Sequence, residues 1–284
     1  MIGVIEVQHA WDIRIVLDLT LGGMGVATFI YAFLSYLKGE KEFSLKAAFA
    51  GMASLVLGLL ILVTHLGKPE AAIYTMISPN LYSVMTWGVF FNILALVFGG
   101  LFALPAVVKL PYSSNEKIMT TLGAIGSIFS FLVMSYTGTL LARSSIHLWR
   151  SPATPLLFIL LSLSSGAGLY FLVSHTLKKE APPILLDFSA LTTLLALVTT
   201  TLYILLADIS SEAYKFSVHL MLTEFLPVTL LLYLVGYAAP LVLYLLYKGK
   251  PSKTLLISIA LLLILQSLLA RLLLVYTGAM ELPW

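Results

Sequence analysis

The chain of 284 residues contains no cysteine. That excludes a disulfide framework, a cysteine-ligated iron–sulfur cluster and covalent haem attachment. Charge is scarce as well: 16 Lys and Arg and 13 Asp and Glu make up 10% of the residues, where a soluble domain carries about 25%. So few charges cannot coat a water-facing surface, and an ordinary globular protein is excluded. Lys and Arg are absent from Met1 to Ile13, where a signal peptide would open with a basic region, so no cleavable signal peptide is expected. What the chain has instead is apolar mass, with 60% hydrophobic residues and a mean hydropathy of +1.02. A spanning helix takes about 20 apolar residues, so eight would use roughly 160 and leave no room for a separate soluble domain. The fold class expected is an all-α integral membrane protein, a single membrane domain over 1–284. The lipid bilayer is its first partner, and no nucleic-acid partner is expected.

Apolar runs between polar, Pro or Gly breaks predict helices at 13–37, 45–65, 84–108, 117–141, 153–177, 184–207, 223–247 and 254–276. Breaks such as Lys38-Gly39-Glu40-Lys41, Lys109-Leu110-Pro111 and Lys248-Gly249-Lys250-Pro251 join turn residues to charge, as loops in water do. The connections after the odd-numbered helices hold Lys38, Lys41, Lys46, Lys109, Lys117, Lys178, Lys179, Lys248, Lys250 and Lys253. The other side holds Arg14, Lys68, Arg143, Arg150, Lys215 and Arg271. By the positive-inside rule the lysine-rich side is cytoplasmic and both termini are extracytoplasmic. Arginine on the outer side keeps company with His65, His147, Trp149, Tyr214 and His219, which suggests a site there.

Weak self-similarity recurs at an offset of about 140 residues. Tyr136-Thr137-Gly138 closes the fourth helix and Tyr276-Thr277-Gly278 the eighth, while Ile61 to His65 matches Ile204 to Asp208. Two four-helix halves, 1–142 and 143–284, would then be parallel bundles about an axis along the membrane normal. Gly22, Gly23, Gly25 and Ala27 in the first helix, and Ser162 to Gly168 in the fifth, suit close helix packing, which accounts for them fully.

Several stretches resemble a known family. Thr64-His65-Leu66-Gly67-Lys68-Pro69-Glu70, Ser78-Pro79, Ser83 to Gly88, Leu19 to Gly25 and Tyr136 to Ala142 are similar to the NrfD-like polysulfide reductase membrane subunits, as are Trp149, Pro152, Pro155 to Phe158, Ser164 to Gly166 and Arg271. The resemblance runs from the first helix to the last. It implies an eight-helix anchor in the cell membrane that exchanges electrons between the quinone pool and an extracytoplasmic, ferredoxin-like four-cluster iron–sulfur subunit. That subunit in turn serves a molybdopterin catalytic subunit. The quinone would be menaquinone or similar, held non-covalently. Asp18 departs from the family pattern, which carries a non-acidic residue there.

A quinone needs an apolar slot, hydrogen-bonding groups for two ring oxygens and titratable groups leading to water. With no redox centre of its own in view, neither haem nor iron–sulfur cluster, such a chain requires an electron-carrying partner. His65, Tyr136 and Asp208, at outward helix ends, are the candidate catalytic trio, with His65, Tyr136 and Asp18 as quinone ligands. Glu70, Glu212 and Glu224 are candidates for proton transfer. Each has a plainer reading: His65 as a helix cap, Tyr136 as an interfacial anchor, and the glutamates as solvated loop acids. Asp208 at a helix C-terminus opposes the dipole, which a nearby cation or water could offset. Asp18 sits about 7–8 Å into the first helix at roughly 1.5 Å per residue. Arg271 lies at matched depth in the last helix, so the two suggest a structural ion pair. No metal site is expected. A haem would have only His65 and His219 to hold it. A secondary transporter with a parallel repeat and an outward-facing polar site is the alternative function.

Overall fold

The computed structural model describes residues 4–67, 79–180 and 182–282, without the side chains of Val4, Asp208 and Leu282. Among these residues, eight helices are long and apolar enough to cross a membrane. They are α1 (Ile13–Leu37), α2 (Lys41–His65), α3 (Val84–Ala106), α4 (Glu116–Ala142), α5 (Ala153–Thr176), α6 (Pro183–Leu205), α7 (Leu226–Gly249) and α8 (Lys253–Tyr276). The chain is thus an all-α, multi-pass membrane protein. Helix starts use ordinary caps: the side chains of Asp12, Asn115 and Ser252 accept backbone N–H groups at the heads of α1, α4 and α8. Pro183 opens α6, where a missing N–H costs nothing.

Helices α1 and α5 form the centre. α1 packs against α2, α4, α5 and α8, and α5 against α1, α4, α6 and α8. In lipid this packing rests on close fit rather than on solvent exclusion, so small residues decide where helices cross. A Cβ on Gly25 would collide with the carbonyl oxygen of Gly51, so α1 and α2 touch backbone to backbone. Hydroxyls stitch α1 to α5: Thr28 Oγ1 donates to the Gly166 carbonyl at 3.0 Å, Tyr31 Oη to the Leu163 carbonyl at 3.0 Å, and Ser35 Oγ meets Tyr170 Oη at 2.6 Å. The buried apolar core falls in two layers. One surrounds Phe29, Phe102 and Phe171 towards the lysine-rich face, and the other surrounds Trp149, Phe158 and Tyr237 towards the termini.

Both termini leave from the same face, as an even number of spans requires. There β1 (Val4–Val7) pairs antiparallel with β2 (Ala279–Leu282), joining the two ends of the chain. Gln8 Nε2 reinforces the join by donating to the Val275 carbonyl at 2.9 Å. On the opposite face, ion pairs tie the connections together: Lys41–Glu116 at 3.1 Å, Lys248–Asp187 at 3.0 Å and Lys179–Glu40 at 3.8 Å.

Three features depart from the expected spans. α2 starts at Lys41, four residues before its expected position, because the α1–α2 turn is completed by Gly39 at φ 93°. Residues 212–222 form a short helix, Glu212–Leu222, where a loop was expected; the Ser211 hydroxyl caps it by accepting the Tyr214 N–H. α7 therefore begins at Leu226 instead of 223. It carries a π-helical segment over Leu232–Ala238, just before Pro240, which offers no N–H to the Gly236 carbonyl four residues earlier.

Candidate functional site

The terminus-bearing end of the bundle carries four groups of polar side chains, two built mainly from the first half of the chain and two from the second. The first group is a clasp at the head of α1. Arg14 reaches Asp12 through Nε at 2.9 Å and through Nη2 at 2.6 Å, and its Nη1 donates to the Thr64 carbonyl at 2.6 Å. The bond from Arg14 holds the Asp12 carboxyl down at about 2, well below the usual 3.8. His65, the last residue of α2, places Nδ1 3.4 Å from Asp12 Oδ1. That is ion-pair distance, yet the nitrogen is buried without an aligned hydrogen bond. His65 thus couples the end of α2 to the cap of α1.

The second group lies deeper. Gly88 in α3 faces the ring of Tyr136 in α4 so closely that a Cβ there would overlap Tyr136 Cε2 and Cζ. A glycine at this point is what lets the ring approach α3 so closely. Asp18 in α1 directs its carboxylate towards α2, where a Cβ on Gly58 would sit 3.2 Å from Oδ1. Tyr136 and Asp18 lie within electrostatic range of one another, and both are partly buried. Neither the Tyr136 hydroxyl nor the Asp18 carboxylate has a hydrogen-bond partner among the described residues. At membrane depth such groups are costly unless something satisfies them.

Arg271 forms the third group and is fully buried. Its guanidinium donates to the hydroxyls of Ser267 and Ser162, the latter at 2.9 Å, and lies 5.1 Å from the Phe158 ring centre, leaving Nε unpaired. Asp18 is the acid whose charge it feels, but the two make no contact within the 4.0 Å that defines an ion pair. The direct Asp18–Arg271 pair expected from matched depth is therefore not formed. The serines of α5 and α8 hold the guanidinium in place, while Asp18 turns towards α2.

The fourth group belongs to the second half. His147 Nδ1 meets Ser211 Oγ at 2.6 Å, the Tyr214 hydroxyl donates to the Tyr203 carbonyl at 2.9 Å, and Tyr203 Oη meets Thr154 Oγ1 at 2.5 Å. Burial pushes the Tyr214 hydroxyl above its ordinary range. The turn Ala207–Ile209 runs along this group, with Leu206 and Ile209 beside His147 and Arg150.

The expected trio is thus not brought together by the described contacts. His65 meets Asp12 beside Arg14, Tyr136 lies against Gly88 within electrostatic range of Asp18, and the Ala207–Ile209 turn lies by His147; the Asp208 side chain lies outside the described residues. So do Lys68 and Glu70. Glu212 is tied to Lys215 at 2.8 Å on the exposed side of the short helix, and Glu224 is exposed before α7. No group of three or more His, Asp or Glu that could hold a metal occurs among the described residues. Asp12 and Arg14 were missed as functional candidates, although an Asp ahead of an apolar run is a recognisable N-cap signal.

A family model described as polysulphide reductase, NrfD, matches residues 5–283. The chain belongs to the NrfD family. No curated protein matches it. The match covers all four groups of polar side chains, so membership does not by itself choose among them.

Proposed function

We propose that this NrfD-family chain is the quinone-reactive membrane subunit of a respiratory molybdopterin oxidoreductase complex of the polysulfide-reductase type. It passes electrons between the quinone pool and an iron–sulfur subunit docked on the terminus-bearing face, which is extracytoplasmic in the cell membrane. The observation that carries this reading is the pair Tyr136 and Asp18. Two partly buried hydrogen-bonding groups from different helices lie within electrostatic range of one another, with no hydrogen-bond partner among the described residues, which fits a ligand with a polar ring edge and an apolar body. A quinone supplies two-electron, two-proton chemistry at that place. Tyr136 Oη donates a hydrogen bond to a ring oxygen, and the Asp18 carboxylate takes up a proton released there. His65, in contact with Asp12 at the end of α2, offers a nearby group to pass the proton to water. Arg271 holds a fixed positive charge on the far side of α1.

Family membership and the placement of the polar groups at one end of the bundle favour this reading over a transporter, whose site would sit near the midplane. The test is quinol oxidation by the assembled complex, with cluster reduction also followed from an artificial donor that bypasses the membrane subunit. Tyr136→Phe keeps the ring and removes only the hydroxyl. It should weaken the use of quinol by about one to two decades and leave the bypass untouched. Unchanged quinol kinetics in that variant would refute the assignment.

A further inference from the structure

The quinone reading makes no use of the middle of the second half. There α7 leaves the ordinary helical ladder over Leu232–Ala238, and its two sides are bonded differently. Towards α6 the segment is satisfied: Tyr237 Oη meets Thr200 Oγ1 at 2.6 Å, and Tyr233 Oη meets Thr201 Oγ1 at 3.1 Å. Towards α8 it lays Gly236 on Gln266, where a Cβ on the glycine would sit 3.4 Å from Gln266 Cα. Among the described residues no hydrogen bond joins the two helices at this crossing.

Each helix brings an unpaired polar group to it. In α7 the Ala239 N–H bonds the Leu234 carbonyl, five residues back, and Pro240 has no N–H to give. The Val235 carbonyl therefore lacks a donor both four and five residues on, and the Gly236 carbonyl has lost the donor four residues on. Gly236 and Pro240 are both buried. In α8 Gln266 is fully buried, and its Nε2 has no partner. Its Oε1 lies 3.3 Å from Thr193 Oγ1 of α6, but that hydroxyl has a single proton and a shorter bond, 2.9 Å, to the Ser189 carbonyl. Turning the amide over only exchanges the orphan: Nε2 would donate to Thr193, and Oε1 would lack a donor. In either orientation a free amide atom and a free carbonyl share one helix crossing at membrane depth, where bulk water cannot serve them.

We propose that this crossing binds one buried water molecule, which bridges the Gln266 amide to the carbonyls of Val235 and Gly236. A water matches the groups present, because it both accepts and donates. Accepting from Nε2 and donating to two carbonyls gives it three bonds, the usual number for a buried water. With the amide turned over, it donates to Oε1 and to the Val235 carbonyl instead. The water closes the gap that Pro240 opens in α7 and pins the π-helical segment to α8.

Electron cryomicroscopy of the purified chain in lipid nanodiscs, at a resolution that shows ordered water, tests this directly. Density should lie within hydrogen-bond distance of both the Gln266 amide and the Val235 carbonyl. An empty crossing, or the amide in direct contact with either carbonyl, would overturn the proposal. Thermal unfolding gives an independent reading through a change of sign. Gln266→Met keeps the length of the side chain and removes the amide, so it should strand the water and lower the midpoint by about 2–4 °C. Pro240→Ala returns an N–H to α7, so the carbonyls no longer need the bridge. In that background Gln266→Met should leave the midpoint unchanged or raise it, since it then removes only a buried amide without a full set of partners. Equal shifts in both backgrounds, or a higher midpoint for Gln266→Met alone, would show that no water bridges the helices.

Discussion

Gly88→Ala is the sharpest perturbation of the proposed quinone site, because it touches no polar group. The added methyl would overlap Cε2 and Cζ of Tyr136, and an aromatic ring gives way only by moving as a unit. Overpacking of this kind costs about 1–3 kcal/mol of stability. Its functional cost is separate: a displaced ring carries the hydroxyl away from its ligand, and losing one hydrogen bond to a buried polar group is worth about 1–3 kcal/mol, or roughly five- to 150-fold in affinity. Gly100→Ala is the matched control, since a Cβ there meets nothing within 4 Å in the same helix α3. Steady-state quinol oxidation by the complex should show a raised KM in Gly88→Ala and wild-type values in Gly100→Ala, with artificial-donor activity equal in both. If Gly88→Ala assembles normally and oxidises quinol with the same KM as Gly100→Ala, the position of the Tyr136 ring does not matter to quinone binding, and the reasoning fails.

Further outcomes follow from the same geometry. Asp18→Asn should lower turnover by about two decades while quinol affinity stays near wild type, because it removes a proton acceptor without changing volume; equal losses in binding and turnover would contradict that. The Asp12 clasp should depend on acid pH. Its folded carboxyl, held at about 2 by Arg14, lies below the ordinary 3.8, so its stabilisation is present above 3.8 and is lost as pH falls through about 2. Thermal midpoints of wild type and Asp12→Asn should therefore converge between pH 4 and 2, whereas a constant gap would show that the ion pair is not the source. With no native cysteine, Lys41→Cys should react with an impermeant maleimide only after lysis, and Arg150→Cys in intact cells; the reverse pattern would put the proposed site on the cytoplasmic side.

The spans were legible in the sequence because eight long apolar runs, each bounded by Lys, Pro or Gly, have no other stable arrangement in lipid. Close packing along α1 was legible too, in the glycines at 22, 23 and 25, of which Gly25 meets α2 and Gly23 meets Ser162 and Arg271. What could not be read was anything that depends on which helices meet. β1 and β2 are four residues each, lie at opposite ends of the chain, and are paired by contacts no local pattern records. Matched depth suggested that Asp18 and Arg271 would touch, but Ser162 and Ser267, ordinary small residues in sequence, hold the guanidinium instead. Tyr136 was visible as a tyrosine near a helix end. Its place against Gly88 of α3, within electrostatic range of Asp18, depends on which helices meet. His65 ends α2 on the terminus-bearing face, and its neighbour, Asp12, lies ahead of α1 and reads locally as a cap.

The central claim is that the Tyr136–Asp18 pair receives the quinone. Photo-crosslinking of the purified complex with an azido-quinone, followed by peptide mapping, tests it most directly. The account predicts label on the peptides of α1 and α4 that carry Asp18 and Tyr136, abolished by excess unlabelled quinone and reduced in Gly88→Ala. Label confined to α5 to α8, or label on α1 and α4 that excess quinone does not displace, would contradict it.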